Sequence, residues 1–285
     1  MTPSLSRRRF LAATAGLAAA AALGDGFLVE PTAIAVSEHD VPLPGLPPAL
    51  DGVRLALLTD VHLSGGIHAP ARAALERLAA LRPEIVVLAG DICNHESDLP
   101  HLVAWARAAR GTVATVATFG NWEHSAGITP AQAAAAYARA GVELLVNAAR
   151  RIAIGGATLA VAGLDDPVLG RPDPERALRG VRAGDVPILA LHAPGYVDTL
   201  RLPGAPAPAP RMILAGHTHG GQIRLPFWTP YVPEGSGRFV AGWYRDTPAP
   251  LYVTRGIGTV LVPARLFCPP ELPVFTLRAR TPAGD

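Results

Sequence analysis

Almost wholly apolar runs at 53–59, 85–89 and 113–119 each stop at a residue able to do chemistry, and a helix-like stretch follows each one. Runs this rich in Val, Ile and Leu read as strands buried on both faces, which need cover on each side. The stretches between them carry helix punctuation. Pro70 sits in the first turn of 69–81 and Pro83 follows its end; Gly111 stops 99–110; a third helix fits 130–140. Beyond residue 140 the rhythm changes to strands at 144–146, 151–154 and 159–163, with Gly155-Gly156 as a turn, then 188–191, 212–215, 251–254 and 274–277. Strand-helix alternation followed by a strand-rich half predicts an α/β fold of two packed sheets flanked by helices. Residues 204–210 read as a short Ala/Pro loop, and no internal repeat is present.

The N-terminus obeys different rules. Ser6-Arg7-Arg8-Arg9-Phe10-Leu11 precedes an Ala-rich apolar run over 12–23, the pattern of a twin-arginine export signal or an N-terminal anchor. The apolar run alone is short for a membrane span. The expected organisation is a signal or anchor at 1–24, a Pro-rich lead-in at 25–50 containing an edge strand near 32–36, and one catalytic domain at 51–280. Such a chain is exported by the twin-arginine machinery and works outside the cytoplasm, in the periplasm or held at the membrane. The formal charge is +2, and the 25 basic residues less Arg7, Arg8 and Arg9 leave 22 against 23 acids. A body this close to neutral argues against nucleic acid as a partner. Cys93 and Cys268 exclude a disulfide framework, and sequence alone does not settle one bridge between them.

The residues at the strand ends form one donor set. Asp60 and His62 follow the first strand, Gly90-Asp91 the second, Gly120-Asn121-Trp122-Glu123 the third, and His192 and Gly216-His217-Thr218-His219-Gly220-Gly221 later ones. In open α/β sheets, ligands gather beyond the carboxyl ends of strands. If the chain stays extended after the first strand, Asp60 and His62 point to one side and share an ion. Taken singly, each motif has an ordinary alternative: a turn aspartate, a loop histidine, a surface histidine pair. Five in order, each at a strand end, make a metal centre the reading adopted. Oxygen and imidazole donors without thiolate suit Mn, Fe, Zn or Co. Two such ions, about 3.5–4 Å apart, would acidify a shared water and stabilise the entering and leaving oxygens of a phosphoryl transfer.

Over about 51–280 these blocks resemble the calcineurin-like metallophosphoesterase superfamily. The resemblance implies a four-layer αββα sandwich with two mixed sheets. It implies a first metal held by Asp60, His62, Asp91 and His219, and a second held by Asp91, Asn121, His192 and His217. It also implies hydrolysis of phosphodiester or diphosphate bonds by a metal-bridging hydroxide. The 216–222 motif, the arginine-rich signal, 254–258 and 268–271 resemble an exported, membrane-associated bacterial branch grouped with phosphodiesterases of lipid-linked substrates such as UDP-diacylglucosamine. The family has a histidine directly after Gly-Asn that contacts the phosphate and helps the leaving group; here Trp122 stands there. His124 is then the candidate catalytic substitute beside Asn121, and Trp122 an apolar wall. The alternative reading is a metal-loaded module that binds a phosphate ligand with little catalysis.

The remaining candidates are weaker. His39 and His101 read as solvated, while His68 and His95 lie in loops near the metal motifs. Cys93 reads as a small core residue. Phe227, Trp228 and Tyr231 read as core or rim packing, or else as a loop that caps substrate or makes peripheral contact with a membrane.

Overall fold

The structure, a computed structural model, describes residues 7–204, 208–225 and 227–279. Ser6 of the arginine motif, residues 205–207 of the Ala/Pro loop and the 280 boundary of the catalytic domain lie outside the described residues.

In chain order the elements are α1 (Arg7–Gly24), β1 (Ala35–Leu43), β2 (Arg54–Leu58), α2 (Ala69–Leu81), β3 (Ile85–Ala89), α3 (Leu99–Ala108), β4 (Ala114–Thr118), α4 (Asn121–Ser125), α5 (Pro130–Ala140), β5 (Glu143–Leu144), β6 (Ala148–Ile154), β7 (Ala157–Gly163), α6 (Pro174–Leu178), β8 (Val186–Ala190), β9 (Met212–Ala215), β10 (Gly242–Tyr244), β11 (Leu251–Val253) and β12 (Glu271–Ala279). One sheet runs β1-β12-β2-β3-β4-β5, the other β10-β11-β9-β8-β7-β6. Both are mixed: β2, β3, β4 and β5 are parallel while β12 pairs antiparallel to β2. In the second sheet β7, β8, β9 and β11 are parallel, and β6 and β10 run antiparallel at its edges.

Each central strand divides its side chains between two cores. Leu55 and Leu57 of β2 pack with Val87, Ile188, Met212 and Leu214 between the sheets. Ala56 and Leu58 turn the other way, onto Leu78 of α2, Leu102 and Trp105 of α3 and Tyr137 of α5. A third core covers the outer face of the second sheet, where Ile213 and Leu251 meet Leu178 of α6, Val197 and Phe239. Burial on both faces is why these strands are apolar throughout rather than alternating. The four layers are therefore as expected, but the outermost layer over the second sheet is thin, made of the five-residue α6, a short turn and loops.

Pro70 lies in the first turn of α2 as expected, whereas α3 ends at Ala108, before Gly111. The His68 ring caps α2 by accepting from the Ala71 N–H, and Arg82 closes it in the left-handed conformation. Thr129 and Gln132 form a capping box on α5, and Gly141 ends it. The edge strand of the lead-in lies a few residues later than read and is longer, pairing parallel with β12 along its whole length. Neither β10 nor the short helix α4 had a sequence signal strong enough to be drawn.

Candidate metal centre

β2, β3 and β4 deliver Asp60, Asp91 and Asn121 from one sheet, and β8 and β9 deliver His192, His217 and His219 from the other. Their side chains meet where the carboxyl ends of the two sheets face each other. Asp60, His62 and His219 form one cluster, and Asp91, His192 and His217 a second; within each, the potential donor atoms lie within 4.8 Å of one another. The clusters adjoin. Asp91 Oδ2 is 3.0 Å from His192 Nε2 and 3.8 Å from His62 Nε2, while Asp60 Oδ1 is 3.5 Å from His219 Nε2 and 3.8 Å from His192 Nε2. Asn121 lines the same cavity of about 200 Å³, with Trp122, Val168, Tyr231 and Leu261.

The backbone reaches this arrangement by a route other than the expected one. Asp60, His62, Asp91, His217 and His219 all hold left-handed conformations, with φ of 55°, 54°, 54°, 69° and 49°. An extended turn after β2 therefore does not aim Asp60 and His62; two separate left-handed kinks do. Non-glycine residues reach this region at a cost, and such strain concentrates at functional sites. Crowding adds its own demand: a Cβ on Gly120 would lie 2.1 Å from Asp91 Oδ1. Glycine there is required by the approach of the carboxylate.

Three of the four imidazoles are oriented from behind. His62 Nδ1 donates to Asn94 Oδ1 at 2.8 Å, His192 Nδ1 to the Ala89 carbonyl at 2.8 Å, and His217 Nε2 to the Glu234 carbonyl at 2.6 Å. Each bond fixes the orientation of the ring and turns its other nitrogen toward the cluster, the usual arrangement of a histidine metal ligand. Buried Asn121 Oδ1 has no hydrogen-bond partner, and His192 Nε2 has only the Asp91 carboxylate in reach at 3.0 Å, whereas buried polar atoms are rarely left unpaired. His62 Nε2 and His219 Nε2 face each other at 3.1 Å. A set of oxygen and nitrogen donor atoms converging on one cavity fits divalent cations.

The electrostatics agree. Burial pushes the Asp60 and Asp91 carboxyls up, but the surrounding imidazoles outweigh it and hold both below the usual range. Burial lowers His192, yet Asp91 and Asp60 reverse this and raise it well above its ordinary value. Burial, with His62 and Arg265, pushes His219 down to about 3, and burial with His192 lowers His217. The pocket thus sets two carboxylates beside His217 and His219, whose basicity burial lowers, and beside His192, which gains its affinity for a proton from the same carboxylates that would hold a cation.

Several supporting residues carried no readable sequence signal. The Glu123 carboxylate accepts from the N–H groups of Asp91, Ile92, Cys93 and Gly120, tying the β3 and β4 loops together. Burial and Asp91 push it up to about 7. Arg265, fully buried, donates to the carbonyls of Gly258 at 2.6 Å, Arg255 at 2.9 Å and Cys268 at 3.1 Å, with His219 O at 3.4 Å. Asn94, noted above, completes the set.

Other sequence candidates sit elsewhere. His124 Nε2 pairs with Asp165 Oδ1 at 2.8 Å, and Trp122 rather than His124 lines the cavity. His39 is not simply solvated: its ring stacks on Phe275 and meets Trp243 and Tyr252 beside a recess of about 620 Å³ at the sheet edge, remote from both clusters. His101 is half-exposed against Asp98, and His95 is exposed. His68 is occupied as a cap and donates to Val61 O. Both cysteines are buried free thiols, and burial raises Cys93 above the usual thiol range. Phe227, Trp228 and Tyr231 are exposed, which removes the core-packing reading.

The sequence model of calcineurin-like phosphoesterases matches residues 53–221. The chain is 29% identical over 287 residues to the metallophosphoesterase YkuE of Bacillus subtilis (strain 168), covering 96% of this chain and 98% of that protein. It is 28% identical over 286 residues to the phosphodiesterase YaeI of Escherichia coli (strain K12), covering 96% and 99%. Among solved structures, the sulfate thiohydrolase SoxB of Thermus thermophilus aligns with TM-score 0.47 at 18% identity, over 82% of this chain and 57% of that one. The chain thus spans little more than half the length of that structure.

Proposed function

The chain belongs to the calcineurin-like phosphoesterase family, and from that premise we propose that it hydrolyses phosphodiester or diphosphate bonds with two divalent cations, on a lipid-linked substrate of the UDP-diacylglucosamine type. The observation that carries the reading is the pair of adjoining clusters with their imidazoles anchored from behind. Asp60, His62 and His219 would hold one cation and Asn121, His192 and His217 the other, with Asp91 between them. When bound, the two ions supply Lewis-acid polarisation of phosphoryl oxygens and an acidified water.

The chain's own residues do the rest. Glu123 accepts from the Asp91 backbone N–H and fixes the main chain there, and the Trp122 N–H, which donates to Asp91 Oδ1 at 2.8 Å, orients the carboxylate. The Trp122 indole walls the cavity and has no dissociable proton for a leaving alkoxide. That favours leaving groups that depart without protonation, such as phosphates or aryl oxides. A lipid-linked substrate is supported by an apolar groove of about 260 Å³ lined by Ile223, Pro230, Val260 and Val262, which shares His219, Tyr231, Pro233 and Leu261 with the metal cavity.

The test compares bis-p-nitrophenyl phosphate with p-nitrophenyl phosphate after chelation and return of Mn. Faster turnover of the diester is expected. No turnover of either with two ions bound would favour a metal-loaded module that binds phosphate ligands, a reading to which Trp122 in the cavity lends support. Export is part of the proposal, on the strength of Arg7-Arg8 opening a helix that is otherwise apolar after Arg9. Arg7→Lys with Arg8→Lys should retain the protein in the cytoplasm; unchanged fractionation would sink the twin-arginine route.

A further inference from the structure

Four separate segments bring bulky apolar side chains to one exposed face beside the metal cavity. Hydrogen bonds show that they lie together. The Arg265 N–H donates to Gly26 O at 2.9 Å, and the Glu30 carboxylate accepts from the Phe267 and Cys268 N–H groups, docking residues 25–30 on 265–268. Arg224 N–H donates to Leu266 O at 2.8 Å, placing 222–225 alongside, and the Leu225 N–H donates to Trp228 O at 2.9 Å, bringing Trp228 with them. The Gln222 amide bonds the backbone of Val260 and Val262, adding 260–262.

The exposed side chains presented there include Phe27, Leu28, Phe227, Trp228, Leu261 and Phe267. Phe227 is fully exposed, and Leu261 is 83% exposed. Phe227, Leu261 and Phe267 also hold left-handed backbone conformations, with φ of 69°, 63° and 52°. Bulky residues are outliers in that region. Strained loop tips here turn aromatic and aliphatic groups toward solvent, which nothing in a water-facing surface rewards. Among the described residues of 25–29, 225–231, 260–263 and 266–267, Asp25 is the one acid or base.

The occupant is indicated by what leaves this face. α1 is an 18-residue apolar helix that runs without a break into the docked residues 25–29. Its Leu11, Leu17 and Leu23 are exposed, and arginines cluster at its far end. With the following turn it extends to about 30 Å of helix, the thickness of a bilayer's hydrocarbon core. Trp228 and Tyr231 on the adjoining loop suit the lipid–water interface. A helix able to enter the bilayer and an aromatic face with a single acid at its root belong to one surface.

We propose that this face docks on a lipid bilayer and seats the body with its metal cavity at the membrane surface. The apolar groove beside His219 shares Tyr231 and Leu261 with the face, so a lipid-linked diester would reach the cations without leaving the membrane. The inference goes beyond the phosphoesterase reading, and its test needs no turnover.

The full chain is reconstituted in phosphatidylcholine–phosphatidylglycerol vesicles with brominated acyl chains, and tryptophan fluorescence is read. Trp105 is buried, Trp122 lies in the cavity, Trp243 packs with His39 and Tyr252, and Trp228 stands on the face. The expected result is quenching by brominated lipid that Trp228→Phe largely abolishes. Phe227→Ser with Phe267→Ser, checked for native circular dichroism and melting, should reduce it. Flotation with the vesicles through α1, with quenching identical in wild type and Trp228→Phe, would overturn the proposal. So would quenching unchanged by the double substitution. A concentration-dependent dimer in detergent, lost in the double variant and accompanied by no quenching, would assign the face to a second copy of the chain instead. None of these outcomes bears on whether the metal centre hydrolyses phosphoesters.

Discussion

Asp91 is the residue on which both clusters depend, because its Oδ2 lies between His192 and His62 at 3.0 and 3.8 Å. Asp91→Ala should remove both cations by elemental analysis, whereas His217→Ala should remove one; two ions retained in Asp91→Ala would end the shared role. Asn94→Ala, which frees the His62 ring, should weaken metal binding by about 10–100-fold. Trp122 raises a separate question. General acid help is worth about 10²–10⁴-fold, and the indole gives none. Trp122→His should therefore speed alkyl diesters more than aryl diesters, and an unchanged alkyl-to-aryl rate ratio would reduce Trp122 to packing. His124 has its own signature. Its bond to Asp165 raises it above 6.5; burial pushes Asp165 up, but that bond and the Arg171 N–H hold it below 3.8. The His124 contribution is complete below pH 6.5 and is lost as pH rises through its folded value. The Asp165 contribution is present above pH 3.8 and is lost as pH falls through its folded value. The melting-temperature gap between wild type and His124→Gln should thus be widest between pH 3.8 and 6.5 and close at alkaline pH. A gap that does not change with pH would mean that the ion pair contributes nothing.

At the scale of elements, what could be read in advance follows from where each side chain's partners lie. β2, β3 and β9 were legible because both faces of each are buried, so the strand is a continuous apolar run that ends abruptly in a ligand. α2 was legible because Pro70 and Pro83 mark its two ends within the sequence itself, while the caps of α2 and α5 became visible only in the structure. The left-handed kinks at Asp60 and His62 were not, since aspartate and histidine carry no local requirement for positive φ; their N–H groups bond the Gly90 and Asp91 carbonyls of the neighbouring β3 loop, partners distant in sequence. Glu123 and Arg265 were hidden for a related reason: their partners are backbone groups supplied by distant loops, and peptide groups leave no trace in composition. Arg265 gives the measurable case. Burial lowers its guanidinium to about 10, still charged at neutral pH, and its donors serve several loop carbonyls next to His219. Each buried carbonyl left unpaired costs about 1–3 kcal/mol. Arg265→Met should destabilise the fold by about 3 kcal/mol or more in urea unfolding and weaken the His219-side cation. A loss below about 1 kcal/mol would mean that water replaces the guanidinium.

For the whole molecule, the two clusters matter because each draws donors from both sheets. Asp60 and His62 follow β2 in the first sheet while His219 follows β9 in the second; Asp91 follows β3 while His192 and His217 follow β8 and β9. Elsewhere the sheets are held by the apolar layer of Leu55, Leu57, Ile188 and Leu214, which is indifferent to cations. At the carboxyl edge they are held by what the donors share. Without cations, the buried Asp60 and Asp91 carboxylates both face His192 Nε2, at 3.8 and 3.0 Å. Binding of an ion to the folded state alone adds about 2.7 kcal/mol at a free concentration of 100 Kd. For a chain of this size each kcal/mol moves the melting temperature by about 2–4 °C. Chelation should therefore lower the transition by roughly 5–10 °C for each cation lost, and return of Mn should restore it. The sheets share one core, so the shift should move a single cooperative transition rather than release one sheet first. Asp91→Ala, already without its ions, should melt at the same temperature with and without chelator. If wild type and Asp91→Ala respond equally to chelation, the cations do not bridge the sheets through these residues.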